Sequence, residues 1–133
     1  MLTIDRAEVS VTDGALKSKG DSSSAVITIK NRGKLLVDTN NKIEIDGIIN
    51  VTGEGSELKI TDSDAVLDGT LKSSDGGSII IEKDCYFKGT IKKDGNGSIC
   101  IKAGYFDEEP DHSFIEDGYS CVRESDGRCQ HDR

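Results

Sequence analysis

Carboxylates are the most abundant groups in this chain that could do chemistry, with 25 Asp and Glu residues against 17 Lys and Arg. Enzymes that cleave glycans need two matched carboxylates at one cleft. The central acids instead stand mostly beside Gly or Ser, where an Asp side chain usually bonds its own backbone. They are Asp62, Asp64, Asp75, Asp84 and Asp94. We therefore expect solvated turn residues and no catalytic pair, so the chain is not predicted to be an enzyme.

Histidine and cysteine are the other residue types that could act as nucleophile, base or metal ligand. His112 and His131 have no nucleophile elbow or comparable signature near them. Cys121, Cys129 and His131 lack the paired Cys-x-x-Cys spacing of a zinc knuckle. The Asp/Gly-rich turns match neither the EF-hand loop nor the calcium nonapeptide repeat. The sequence therefore predicts no catalytic residue, no metal site and no cofactor.

The distribution of charge limits the class of partner. The formal net charge is −8, which disfavours nucleic acid or an anionic membrane as the main partner. Residues 104–133 carry nine acids and three bases, so most of the excess charge lies at the end of the chain. No apolar run is long enough to span a membrane, and the first residues, MLTIDRAEVS, do not have the pattern of a signal peptide. We expect no contact with nucleic acid or membrane.

The elements that position these residues follow from an internal repeat. The segment GTLKSSDGGSIIIEKDCYFK (69–88) reappears as GTIKKDGNGSICIKAGYFDE (89–108), an alignment that places Tyr86 against Phe106. Apolar residues alternate within each copy, as at Ile79 and Ile81, and turn formers separate the alternating segments. The pattern predicts an all-β fold, a single-stranded parallel β-solenoid of roughly five coils of about twenty residues. The alternative is an antiparallel β-sandwich, whose strands recur at similar intervals.

We expect one domain, with a solenoid body at 1–106 and a C-terminal cap at 107–133. The final coil of a solenoid exposes unpaired backbone groups and a cut core, which a terminal element must cover. Phe114, Ile115 and Tyr119 are spaced as one face of a short helical turn that follows Pro110. Together with Phe106 these residues make up the predicted cap, and the surrounding acids would discourage stacking.

The terminal segment resembles the end of repeat-built surface β-helix proteins of gut bacteria and their phages. Those proteins commonly finish on Gly-Gly-x-Phe, then Pro, then an aromatic or aliphatic position, then Asp/Glu-Gly-Tyr. The residues that match are Gly104, Phe106, Pro110, Phe114, Ile115, Asp117, Gly118 and Tyr119. This chain departs in having Ala103 in place of the first Gly, and in an ending around Cys129 that lacks the usual apolar last strand. The resemblance implies a right-handed parallel β-helix whose terminal piece is folded as a cap.

A small apolar strip is expected on the outside of the late coils. Cys100 alternates with core-type isoleucines and would face outward above Ile80 of the preceding coil. Thr28, Glu44 and Lys59 are predicted to hold the corresponding outward place on earlier strands. The cap or a second copy of the chain could cover such a strip. We predict a homo-oligomer, with a trimer favoured.

Cys121 and Cys129 lie eight residues apart near the end of the chain. They could form a disulfide that staples the cap, or they could remain reduced. The sequence alone does not decide between these two states.

Three functional hypotheses follow. The first is a structural or attachment protein, specifically a phage virion component such as a capsid-decorating or fibre protein. It would lie on the virion surface with capsid or other virion proteins as partners, and the start at Met1 without a signal peptide agrees with this. The second is a glycan-binding adhesin module of a bacterial surface protein, carried in a larger exported chain, although there is no Trp and no aromatic residue precedes Tyr86. The third is a polysaccharide lyase or hydrolase.

Overall fold

The computed structural model describes residues 2–11, 16–17, 25–38, 43–61, 65–82, 86–106, 111–115, 119–121 and 128–131. These residues are almost entirely in β-strands, with one short 3-10 helix at His112–Phe114. The strands are β1 (Leu2–Asp5), β2 (Glu8–Val11), β3 (Leu16–Lys17), β4 (Ala25–Lys30), β5 (Lys34–Val37), β6 (Ile43–Thr52), β7 (Glu57–Ile60), β8 (Ala65–Ser74), β9 (Ser78–Ile81), β10 (Tyr86–Phe87), β11 (Thr90–Lys93), β12 (Ser98–Ile101), β13 (Gly104–Phe106), β14 (Tyr119–Cys121) and β15 (Arg128–His131).

The strands are stacked as a parallel β-solenoid. One sheet has the order β12-β9-β7-β5-β2, and the other runs β1-β4-β6-β8-β10-β13 before it ends in β15 and β14. Within the part of the chain that the structure describes, every pairing among β1 to β13 is parallel, whereas β15 pairs antiparallel with both β13 and β14. The predicted β-solenoid is thereby confirmed, and the alternative of an antiparallel sandwich is wrong.

The stacked strands form three columns, because β6 and β8 each contribute to two of them. The first half of β8 pairs with β10 and its second half pairs with β11. Column 1 comprises β1, β4, residues 48–52 of β6, residues 70–74 of β8, and β11. Column 2 comprises β2, β5, β7, β9 and β12. Column 3 comprises β3, residues 43–46 of β6, residues 65–68 of β8, β10 and β13.

Glycine forms the junction between columns 3 and 1. Gly47 and Gly69 are directly in register and have φ angles of +113° and +117°, in the region that favours glycine. A Cβ added at Gly69 would overlap the Gly47 carbonyl oxygen, and one at Gly89 would overlap the Gly69 carbonyl oxygen. The repeated Gly-Thr start of each copy is therefore required by the close approach of successive coils.

The core is a narrow column of aliphatic side chains. Along column 2 the burial alternates, so that every second side chain is buried against the other columns. The buried rows of this column are Leu35, Leu58, Ile79 and Ile99 in one and Val37, Ile60, Ile81 and Ile101 in the other.

The coils are not of equal length. Equivalent positions Val9, Leu35, Leu58, Ile79 and Ile99 are separated by 26, 23, 21 and 20 residues. The five strands of column 2 therefore span about four turns, fewer than the roughly five predicted. The period of twenty holds only for the late coils, because the earlier ones use longer connections between strands.

Two fully buried serines hold the turns that lead from column 1 to column 2. The Ser73 hydroxyl donates to the Gly77 carbonyl oxygen (2.6 Å) and accepts from the Ser98 backbone N–H (3.1 Å). The Ser56 hydroxyl accepts from the backbone N–H of Arg32 at 3.1 Å. Both side chains thus bond a backbone group of an adjacent coil, and Ser73 also bonds its own turn, which explains how polar residues are accommodated in this core.

Candidate functional site

The outer surface of column 2 carries the candidate site. Between the buried rows, one outward row runs in register through all five strands. We call it the outer row, and it consists of Ser10, Leu36, Lys59, Ile80 and Cys100. Leu36, Ile80 and Cys100 are half-buried, so an apolar strip interrupted by Lys59 faces outward on column 2.

The structure places Ile80 and Cys100 next to each other in this row, at directly paired positions of β9 and β12. The expected alignment of Thr28 and Glu44 with Lys59 is wrong, because these two residues lie in β4 and β6 of the other sheet. In β5, Leu36 occupies the outward position in register with Lys59, so the apolar strip also includes an early coil. The run Leu35–Leu36–Val37, three consecutive apolar residues like Ile79–Ile80–Ile81, is the signal that could have identified it.

Charged residues of both signs border the outer row. One flank, which we call the first flank, contains Glu8, Lys34, Glu57, Ser78 and Ser98. The second flank follows the strand ends and contains Asp38, Thr61, Glu82 and Lys102, whose backbone N–H groups continue the ladder onto the preceding coil.

An ion-pair network lies on the second flank. The Glu82 carboxylate accepts from Lys102 Nζ at 3.5 Å and lies 3.8 Å from Lys59 Nζ. The charge of Lys59, the single ionic residue of the outer row, is therefore balanced within its own chain.

A shallow depression of about 220 Å³ opens on the same surface beside Leu36. It lies over the early coils, and its rim alternates between acidic and basic side chains. The lining residues are Glu8, Val9, Ser10, Lys34, Leu35, Leu36, Glu57 and Lys59. Its volume suits protruding side chains of a partner better than an enclosed small molecule, since enclosed ligand sites usually measure about 300–1,000 Å³.

The predicted cap residues are placed at the C-terminal end of the core. Phe106 is buried in β13 and its ring stacks on that of Phe87 with centroids 4.9 Å apart. Phe114 is also buried, in the 3-10 helix, and its N–H donates to the Asp111 carbonyl oxygen. Ile115 forms a parallel bridge with Ile101 of the last coil.

For the other residues named in the terminal segment, the structure describes either the position of the backbone alone or nothing. Pro110 lies outside the described residues. Tyr119 begins β14, and Cys121 and Cys129 occupy directly opposed positions of β14 and β15. His112 lies in the 3-10 helix and His131 ends β15.

The described acids of the central turns, Asp75 and Asp94, have different bonding partners. Asp94 forms an ion pair of 3.0 Å with Lys72, and the Asp75 carboxylate accepts from the Thr52 hydroxyl at 3.4 Å. Asp62, Asp64 and Asp84 lie outside the described residues. Where these acids are described, they are engaged with neighbouring coils.

At the first coil, one carboxylate has a perturbed acidity. The pKa of Asp5 is lowered from its ordinary value of 3.8, first by a hydrogen bond from the Asn31 side chain and then by Arg6. The Asn31 Nδ2 lies 3.0 Å and the Arg6 Nε 3.1 Å from the same carboxylate oxygen.

Two tyrosines form an outward pair on column 3. Tyr86 and Tyr105 are directly paired in register, as are Phe87 and Phe106 behind them. The alignment of Tyr86 with Phe106 expected from a twenty-residue period is therefore wrong by one position. Tyr86 is 40% exposed, and Lys88 Nζ lies 5.6 Å from the centre of its ring.

Comparison with known proteins gives no match, whether with a family model, a curated protein or a solved structure. The resemblance of the terminal segment to surface β-helix proteins therefore stays a prediction. In the described part of the chain, no cluster of three His, Cys, Asp or Glu residues is arranged to hold a metal ion. The described residues also include no helix with the length and apolarity needed to cross a membrane.

Proposed function

We propose that this protein is a non-enzymatic structural or attachment module that acts as a homo-oligomer, with a trimer as the expected order. Its self-contact is the outer surface of column 2. The observation that carries the proposal is the outer row, in which Leu36, Ile80 and Cys100 line up in register between flanks of mixed charge. Apolar strips on charged surfaces are typical of protein contacts.

The apolar residues of two copies meet each other when the copies pack side by side with their solenoid axes parallel. In a cyclic oligomer with its symmetry axis along the solenoid, residues of the same coil meet at the same height. Leu36, Ile80 and Cys100 then each lie near an identical apolar residue of the neighbour. In an antiparallel pair centred on the middle coil, Cys100 would instead oppose Ser10.

Charge on the two flanks is compatible with the same arrangement. Around a cyclic axis the first flank of one copy meets the second flank of the next. At the level of β5 this brings Lys34 towards Asp38 of the neighbouring copy, a favourable pair. An antiparallel pair centred on the middle coil would set Glu57 against Glu57 and Asp38 against Glu82, which are repulsive pairs.

Sedimentation or light scattering on the wild type and on Ile80→Lys tests this proposal. The wild type should have a mass three times the 14.3 kDa of the chain, and Ile80→Lys should dissociate because it places an unpaired charge at the contact. Thr70→Lys is the matched control, since Thr70 is also half-buried on the outside but belongs to column 1. A wild type that stays monomeric at high micromolar concentration would refute the proposal.

We place this oligomer on a virion surface, as a capsid-decorating or fibre protein in contact with capsid or other virion proteins. The support is the resemblance of the terminal segment to surface β-helix proteins, together with a solenoid small enough to decorate a larger assembly. Genes that neighbour the coding sequence test this placement. Capsid and portal genes would support it, whereas a parent chain with an export signal and an anchor would favour a bacterial surface protein.

Glycan binding is the second candidate function, and the outward pair Tyr86 and Tyr105 is the observation that favours it. Tyr86 is exposed and Tyr105 half-buried, and aromatic rings on successive coils offer apolar surface to the faces of sugar rings. Calorimetric titration with a panel of oligosaccharides should detect binding that Tyr86→Ala abolishes. Leu2→Ala is the control, because Leu2 is similarly exposed at 39% but lies in the first coil. Equal effects of the two substitutions would exclude this site.

A further inference from the structure

The two cysteines of the terminal segment are brought directly opposite each other. In the antiparallel pair of β14 and β15, Cys121 is in register with Cys129, between the pairing of Tyr119 with His131 at one end and the connection at the other. Directly opposed residues of antiparallel strands have Cα atoms about 4.5 or 5.5 Å apart, depending on their place in the ladder. A disulfide requires a Cα separation of about 4.4–6.8 Å. Both classes of opposed pair meet that requirement.

A cross-link between Cys121 and Cys129 would hold the C-terminal hairpin together. Cys129 is also in register with Gly104 of β13, so β15 attaches the hairpin to the end of column 3. Within the part of the chain that the structure describes, β14 is the outermost strand of this sheet and pairs only with β15. A hairpin of two short strands is marginally stable by itself. A bond between the two strands would therefore hold the outermost strand of the cap in place.

We propose that Cys121 and Cys129 form an intramolecular disulfide that staples the C-terminal cap. In the reaction, the two thiols lose two protons and two electrons as their sulfur atoms bond. The electrons pass to a disulfide oxidant such as oxidised glutathione, which is cleaved into two thiols. The bond closes a loop of nine residues, 121–129, and restricts the unfolded terminal segment.

Peptide mapping tests the bond directly, because trypsin separates the two cysteines. Cleavage after Lys102, Arg123 and Arg128 leaves Cys121 in the peptide 103–123 and Cys129 in the peptide 129–133. The full chain, treated with oxidised glutathione and digested without reductant, should yield these two peptides linked and two hydrogens lighter than their sum. Reduction should separate them. Free alkylation of both cysteines in the folded protein, or a link from either to another cysteine or another chain, would overturn the proposal.

Thermal unfolding tests the role of the bond. Reductant should lower the melting temperature of the oxidised wild type by several degrees and leave a Cys121→Ser, Cys129→Ser variant unchanged. Cys85→Ser is the matched control, because Cys85 belongs neither to the terminal segment nor to the outer row, and it should keep the full response to reductant. If reductant leaves the melting temperature of the oxidised wild type unchanged, the disulfide does not stabilise the cap and the proposal is refuted, even where the linked peptides are found. Neither readout involves the outer row, so a failed self-association does not affect this result.

Discussion

Replacing Gly69 by Ala should destabilise the protein far more than its surface location suggests. Gly69 lies at the junction of columns 3 and 1 with φ of +117°, where an L side chain costs about 1–3 kcal/mol. Its added Cβ would overlap the carbonyl oxygen of Gly47 and lie 2.7 Å from the Gly47 nitrogen. Relieving that overlap requires the two coils to separate, which costs at least one ladder hydrogen bond, about 1 kcal/mol. We expect a total loss of about 3 kcal/mol.

Gly95→Ala is the matched control for this substitution. Gly95 also has a positive φ, +58°, but an added Cβ would meet nothing within 4 Å. The left-handed conformation alone should cost about 1 kcal/mol. Urea unfolding, followed by circular dichroism, measures both losses as the difference in free energy of unfolding from the wild type. If Gly69→Ala costs no more than Gly95→Ala, then successive coils do not approach each other at this junction and the reasoning is wrong.

Three further substitutions test the core, the turns and the first coil. Phe114→Ala should lower the free energy of unfolding by about 3 kcal/mol because the ring is buried; an unchanged urea midpoint would show that the ring does not plug the core. Ser73→Ala should cost about 2 kcal/mol because it removes two hydrogen bonds of the buried hydroxyl, to the Gly77 carbonyl oxygen and from the Ser98 N–H, at about 1 kcal/mol each. Equal losses for the half-buried neighbour Ser74→Ala would contradict this. Because the pKa of Asp5 is lowered in the folded state, its contribution to stability is present above the unfolded pKa and lost as pH falls through the folded pKa. The difference in urea midpoint between the wild type and Asp5→Asn should therefore shrink on acidification below 3.8, and a difference that grows there would contradict the assignment.

The late coils could be predicted from the sequence because stacking imposes the same requirement at the same position of each coil. Gly69 and Gly89 recur since a Cβ at either one would overlap the coil before it. The pairing of Ile80 with Cys100 could also be predicted, because the two residues lie twenty positions apart. Leu36 was missed because counting in steps of twenty fails where the coil has 23 or 26 residues. Surface connections can lengthen without disturbing the strands that they join, so the early register is not encoded in a constant period.

The end of the chain was less predictable for a different reason. A ring such as Phe114 after a polar segment signals a core plug, but the strands β14 and β15 have no alternating apolar pattern from which to infer them. Their sequences are Tyr-Ser-Cys and Arg-Cys-Gln-His. β15 is held by backbone pairing with β13, and backbone pairing leaves little trace in residue type. The opposition of Cys121 and Cys129 could therefore be seen only in the structure.

Cross-linking through the outer row tests whether copies of the chain associate in parallel along column 2. One chain retains Cys100 as its single cysteine, and a second chain of different size carries only Ser10→Cys, with the other cysteines in each replaced by Ser. Cys100 lies in β12 and Ser10 in β2, four coil steps apart, or about 19 Å at about 4.8 Å per step. After the two chains are mixed and oxidised, we expect disulfide-linked pairs of the Cys100 chain and no product that joins the two chains. A mixed product would show antiparallel packing, and the absence of any Cys100 pair would contradict the proposed contact.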